Sequence, residues 1–96
     1  MITEVKIDYQ RGFDLTIDPN HYVVMIKGHD LHPHDHYYLV VNGEPLQSVV
    51  RDHRLEYAGL GDLVFTNIPV SYIDVRTHPF IQVQGVMGVS NAIQVG

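Results

Sequence analysis

The chain has 96 residues, room for one domain and not for two. Hydrophobic residues make up 45% and charged residues 18%, which excludes a disordered polar chain, and the lack of cysteine excludes disulfide scaffolds, thiolate metal sites and cysteine nucleophiles. A formal charge of −5 is the wrong sign for a phosphate backbone, and the six Lys and Arg are scattered, so no nucleic-acid partner is expected.

The expected elements are short and extended. Val5, Ile7 and Tyr9 alternate with Glu4, Lys6 and Asp8, the pattern of a half-buried strand, and Phe13, Leu15 and Ile17 repeat it against Asp14, Thr16 and Asp18. Residues 22–26 and 37–41 are continuous apolar runs rich in β-branched and aromatic residues, which suit strands of a sandwich core. Asn42-Gly43 follows the second run and predicts a tight hairpin turn with positive φ at both positions. Residues 46–50, 63–67, 80–86 and 92–95 complete the series. Residues 46–58 form the longest stretch free of Gly and Pro, and a short helix there is the alternative. No apolar run approaches the roughly 20 residues of a membrane helix, so membrane insertion is not expected. Met1-Ile2-Thr3-Glu4-Val5-Lys6 alternates and carries an acid where a signal peptide is basic, so synthesis in the cytoplasm is the expectation. Turn signals about every ten residues predict an all-β, two-sheet sandwich of about seven to nine short strands, a single domain over residues 1–96. Val24, Ile26, Leu39, Val41, Ile81, Val83 and Ile93 are its expected core.

Chemistry-bearing residues concentrate in His29-Asp30-Leu31-His32-Pro33-His34-Asp35-His36. His32, His34 and His36 are spaced by two, so an extended backbone would project all three to one side, as a three-imidazole zinc site requires, with Asp30 and Asp35 orienting the rings. Pro33 interrupts regular strand pairing, and a solvated polar loop is the preferred reading. His29, His32, His34, His36 and Tyr37 are therefore carried as candidate interaction residues rather than ligands. Elsewhere Asp52-His53 has no nucleophile beside it, and Ser48, Ser71 and Ser90 lack the elbow that strains a catalytic serine. No phosphate loop occurs, so no catalytic residue and no cofactor is expected.

Ile68-Pro69-Val70-Ser71-Tyr72-Ile73, then Phe80-Ile81-Gln82-Val83-Gln84, then Gly88-Val89-Ser90-Asn91-Ala92-Ile93-Gln94-Val95 run in an order that resembles the IPT/TIG immunoglobulin-like domains of the bacterial type. Upstream, Val24-Met25-Ile26-Lys27-Gly28-His29-Asp30-Leu31 resembles that family's strand ending in Gly-x-x-Leu, and Val40-Val41-Asn42-Gly43 its strand-to-turn step. The resemblance spans residues 22–95. Residues 51–62 are longer than the family's usual connection, and Gly85-Val86-Met87-Gly88 is shorter than its glycine-rich turn. Pro69 suits a crossing between sheets because it fixes its own φ and holds Ile68 extended, and Asn91 is placed to bond nearby backbone at a strand entry.

What the resemblance implies is an immunoglobulin-like sandwich that binds or builds. The leading expectation is an accessory structural protein of a bacteriophage virion, decorating a capsid or tail. Its partners would be protein: further copies of itself, the larger assembly, or both. The alternatives are a carbohydrate- or ligand-binding domain of a bacterial surface or secreted protein, with Tyr37, Tyr38, Tyr57 and Tyr72 as stacking candidates, and a small metal-binding protein using the histidine loop.

Overall fold

The computed structural model describes residues 1–31, 37–46, 54–57 and 62–95. Among them run nine strands: β1 (Ile2–Arg11), β2 (Ile17–Gly28), β3 (Tyr38–Val41), β4 (Glu44–Pro45), β5 (Arg54–Tyr57), β6 (Asp62–Pro69), β7 (Phe80–Gly85), β8 (Gly88–Val89) and β9 (Ile93–Gln94). They form two sheets, one ordered β1-β2-β6-β5 and the other β4-β3-β7-β8, with β9 also on β7. Every pairing is antiparallel. The fold is an all-β sandwich. Its strand order is that of an immunoglobulin constant-type domain, A-B-E-D against C-F-G, with β4 added beside the C position and the G position divided into β8 and β9.

The core sits between the sheets. Tyr22, Val24 and Ile26 of β2 and Leu63, Phe65 and Ile68 of β6 face Leu39 and Val41 of β3 and Ile81 and Val83 of β7, all buried. Six of the seven core residues expected from the pattern are there; Ile93 is only half-buried because β9 lies at the sheet margin. Leu46, the first residue of the expected segment 46–50, is buried in the core, and Ile2 and Ile73 join it without belonging to any expected strand.

The Asn42-Gly43 turn joins β3 to β4 with φ of 50° and 82°, the left-handed pair the dipeptide predicts. Asn42 does more than turn: its Oδ1 accepts from the N–H of Phe80 at 2.9 Å. Pro69 ends β6 with φ −59° and ψ 135°, and the chain crosses to the second sheet through 3-10 turns at Val70–Tyr72 and Val75–Thr77.

Several expectations change. Phe13 and Leu15 do not continue a strand; residues 12–16 are the β1–β2 turn, closed by Gly12 N–H to Thr16 O at 2.9 Å and by Asp14 Oδ1 accepting from Thr16 N–H at 3.1 Å. The Asp14 side chain competes for backbone and wins locally, so Phe13 is left fully exposed and Leu15 takes φ 63°. β1 and β2, of 10 and 12 residues, are longer than the short strands expected. Arg54–Tyr57 is a strand on β6, which displaces the helix alternative there. Residues 47–50 lie outside the described residues. Asn91 bonds not to nearby backbone but to Ile2, at the other end of the chain.

Candidate binding end of the sandwich

One end of the sandwich gathers the β2–β3 connection, the β7–β8 hairpin and the N-terminus. His29 follows β2 and pairs backbone to backbone with Met1: the Met1 ammonium donates to His29 O at 2.9 Å and His29 N–H to Met1 O at 2.7 Å. Asp30 turns the chain with φ 61°, and Leu31 drops against the core. Tyr37 returns at the foot of β3 and lies with its ring over Gly85; a Cβ on Gly85 would stand 2.8 Å from that ring. Only glycine leaves room for Tyr37 to be buried there.

Beyond Gly85, Val86 and Met87 form the tip of the hairpin, with Val86 79% and Met87 93% exposed. Gly88 leaves the turn at φ 115°, and Val89 is also exposed. Below the tip is a groove of about 290 Å³, lined by Met1, Leu31, Tyr37, Val83, Met87 and Val89 among others. Its walls are mainly apolar side chains, with Asp30 and Ser90 as the polar margin.

Of the five candidate interaction residues, His29 is exposed at this end, and Tyr37 is buried, so it floors the groove instead of projecting from it. His32, His34 and His36 lie outside the described residues, as does Asp35. The connection that carries them leaves at Leu31 and returns at Tyr37, both of which line the groove. Met1, Leu31 and residues 85–90 are not among the interaction residues expected from sequence; the available signal is an apolar pair, Val86-Met87, held between two glycines.

Ser90 holds the FG side in shape. Its Oγ accepts from Val83 N–H at 3.0 Å and donates to Asn91 O at 2.9 Å, while its own N–H donates to Val83 O at 2.8 Å. These bonds tie the break between β8 and β9 to β7 and commit the hydroxyl to backbone. Ser71 is exposed in the turn after β6, at the opposite end. Among the described residues no three His, Asp or Glu side chains converge as metal ligands. The closest acid–base pair among the described residues is Asp18 and His21, Oδ2 to Nδ1 at 2.8 Å, on the surface of β2. The Asn20 N–H and the His21 ring hold the Asp18 carboxyl below the usual carboxylate range. Tyr38 and Tyr72 are partly exposed, but Tyr38 opens β3 at the groove end and Tyr72 lies in the turn at the far end, so they form no common stacking face.

No protein-family model, curated protein or solved structure matches the chain.

Proposed function

We propose that the chain is a non-enzymatic immunoglobulin-like module that docks onto a protein subunit of a larger particle, and that the particle is a bacteriophage virion whose capsid or tail it decorates. The observation that carries the docking is the exposed Val86-Met87 tip standing over an apolar groove on a rigid two-sheet base. Neighbouring exposed apolar side chains on a small domain mark contact surfaces, and loops at one end of an immunoglobulin sandwich are the usual place to present them. The strand order and the IPT/TIG-like motifs support a module that binds or builds. The occupant of the groove is a protein surface offering an apolar ridge or side chain, because the groove has few polar groups to orient a sugar.

The test is to purify particles from the source on a density gradient and quantify this chain. The expected result is co-migration with capsid or tail proteins at a fixed repeat number. Recovery only as dispersed monomer, with none on particles, contradicts the reading.

A further inference from the structure

β1 is the edge of the four-stranded sheet, and its outer rim has a defined free window. At one end Ile2 turns its N–H and C=O away from β2 and spends both on the Asn91 amide, at 2.9 Å each. Past a bulge between Ile2 and Glu4 the register with β2 runs unbroken from Val5 opposite Ile26 to Tyr9 opposite Tyr22, and breaks again after Tyr9. The Tyr9 N–H points off the sheet, where it meets only the carboxylate of its neighbour Asp8 at 2.8 Å. Because backbone groups alternate along a strand, Ile7 and Val5 present their N–H and C=O to the same outer side. The open window is therefore Val5, Ile7 and Tyr9, bounded by Asn91 and by the second irregularity, with Ile7 at its centre.

A window centred on one residue can pair with itself. We propose that two copies of this chain join β1 to β1 as antiparallel neighbours about a two-fold axis through Ile7, continuing one sheet across both molecules. Ile7 then exchanges backbone bonds with Ile7 of the second copy, and Val5 with Tyr9. Between them Lys6 falls opposite Asp8 in the non-hydrogen-bonded positions, where facing side chains come closest.

The charges select this register. A slip by two residues sets Lys6 against Lys6 and Glu4 against Asp8, and a slip the other way sets Asp8 against Asp8. A slip by one would turn the apolar row to the wrong face. The centre fixed by the free backbone and the centre fixed by charge coincide. The apolar row gains as well. Val5, Ile7 and Tyr9 border a groove of about 370 Å³ with Tyr22, Val75 and Val95, and Tyr9 is 44% exposed. In the pair, Tyr9 of one copy lies beside Val5 of the other. The Asp8 carboxylate leaves the Tyr9 N–H to a backbone partner and turns to Lys6. A lysine on an edge strand ordinarily discourages pairing; here it admits one register and rejects its neighbours. This pairing uses the rim of β1 from Val5 to Tyr9 and does not depend on the docking proposed for the groove at the end of the sandwich.

Sedimentation of the full chain over a concentration series tests it. The expected result is a monomer–dimer equilibrium that Lys6→Glu abolishes and that Lys6→Glu combined with Asp8→Lys restores. Both side chains are exposed, so the melting temperature of each monomer serves as the folding control. With no native cysteine, single Cys variants then read the register: Ile7→Cys should form a disulfide-linked dimer on oxidation, while Lys6→Cys and Asp8→Cys should not. A monomer throughout the series, a dimer indifferent to Lys6→Glu, or linkage through Lys6→Cys in place of Ile7→Cys overturns the proposal.

Discussion

Ile2 and Asn91 stand 89 residues apart and are joined by a reciprocal pair of hydrogen bonds, Ile2 N–H to Asn91 Oδ1 and Asn91 Nδ2 to Ile2 O, each 2.9 Å. The side-chain amide takes the place of a neighbouring strand's backbone. It ties the first strand of one sheet to the break between β8 and β9 in the other, so the two ends of the chain close the sandwich.

Asn91→Ala removes both bonds and leaves part-buried backbone groups of Ile2 to find water. At about 1 kcal/mol per hydrogen bond the expected loss is about 1–3 kcal/mol, read as a lower urea midpoint at unchanged slope. Asn91→Asp separates the halves: a carboxylate still accepts from Ile2 N–H but cannot donate to Ile2 O, so it should keep part of the stability. A variant as stable as the parent would mean that the clasp contributes nothing.

Gly43 carries φ 82° with no atom within 4 Å of where a Cβ would stand. The cost of a side chain there is therefore backbone strain and not collision. Gly43→Val should cost about 1–2 kcal/mol, since a β-branched residue resists the left-handed region, whereas Gly43→Asn should cost little. Equal melting temperatures for the two variants would contradict this account of the turn.

Much of the fold was legible in the sequence because its cause is periodic. Val24, Ile26, Leu39, Val41, Ile81 and Val83 are buried where alternation and apolar runs place them, and Asn42-Gly43 turns as its own conformational preference requires. The misreadings have physical reasons. Phe13 and Leu15 alternate like a strand, but Asp14 bonds the backbone of Thr16 and bends the segment, and alternation cannot weigh that competition. Ile2 stands outside the expected core, since its distant partner Asn91, which no local pattern reveals, fixes its place. The candidate end was half legible. Its histidines draw attention by composition, while the seat of Tyr37 on Gly85 is a contact across two strands that no local pattern encodes.

Gly85→Ala tests that seat. The new methyl would stand 2.8 Å from the Tyr37 ring, so the ring must tilt out or the strands part. The expected cost is about 1–3 kcal/mol, the range for overpacking, with a changed near-ultraviolet tyrosine signal. Gly85→Ala with Tyr37→Leu should recover stability because the smaller side chain makes room. Failure of the pair to recover would place the strain elsewhere.

Acid should weaken the fold late. Hydrogen bonds hold three carboxyls below the usual range: Asp14 through the Thr16 hydroxyl and N–H, Asp18 through the Asn20 N–H and the His21 ring, and Asp74 through the Arg76 guanidinium and N–H. A lowered folded value means the stabilisation is present above the unfolded carboxylate value of about 3.9 and is lost as pH falls through the folded values. Stability contributed by these groups should thus be flat down to about pH 4 and decline below it, less steeply at high salt because all three are exposed. A loss of these contributions beginning near neutrality, measured as the difference between the parent and Asp14→Asn, Asp18→Asn and Asp74→Asn, would contradict the assignment.

The docking end is tested most directly by hydrogen exchange of the free protein against the same protein on its particle. Protection on assembly should appear at Met1, at Leu31 and Tyr37, and across residues 85–90, with the turn at residues 12–16 unchanged. Protection confined to residues 12–16 and 70–78, with the Val86-Met87 hairpin exchanging as fast as in the free chain, would place the contact at the opposite end and contradict the account.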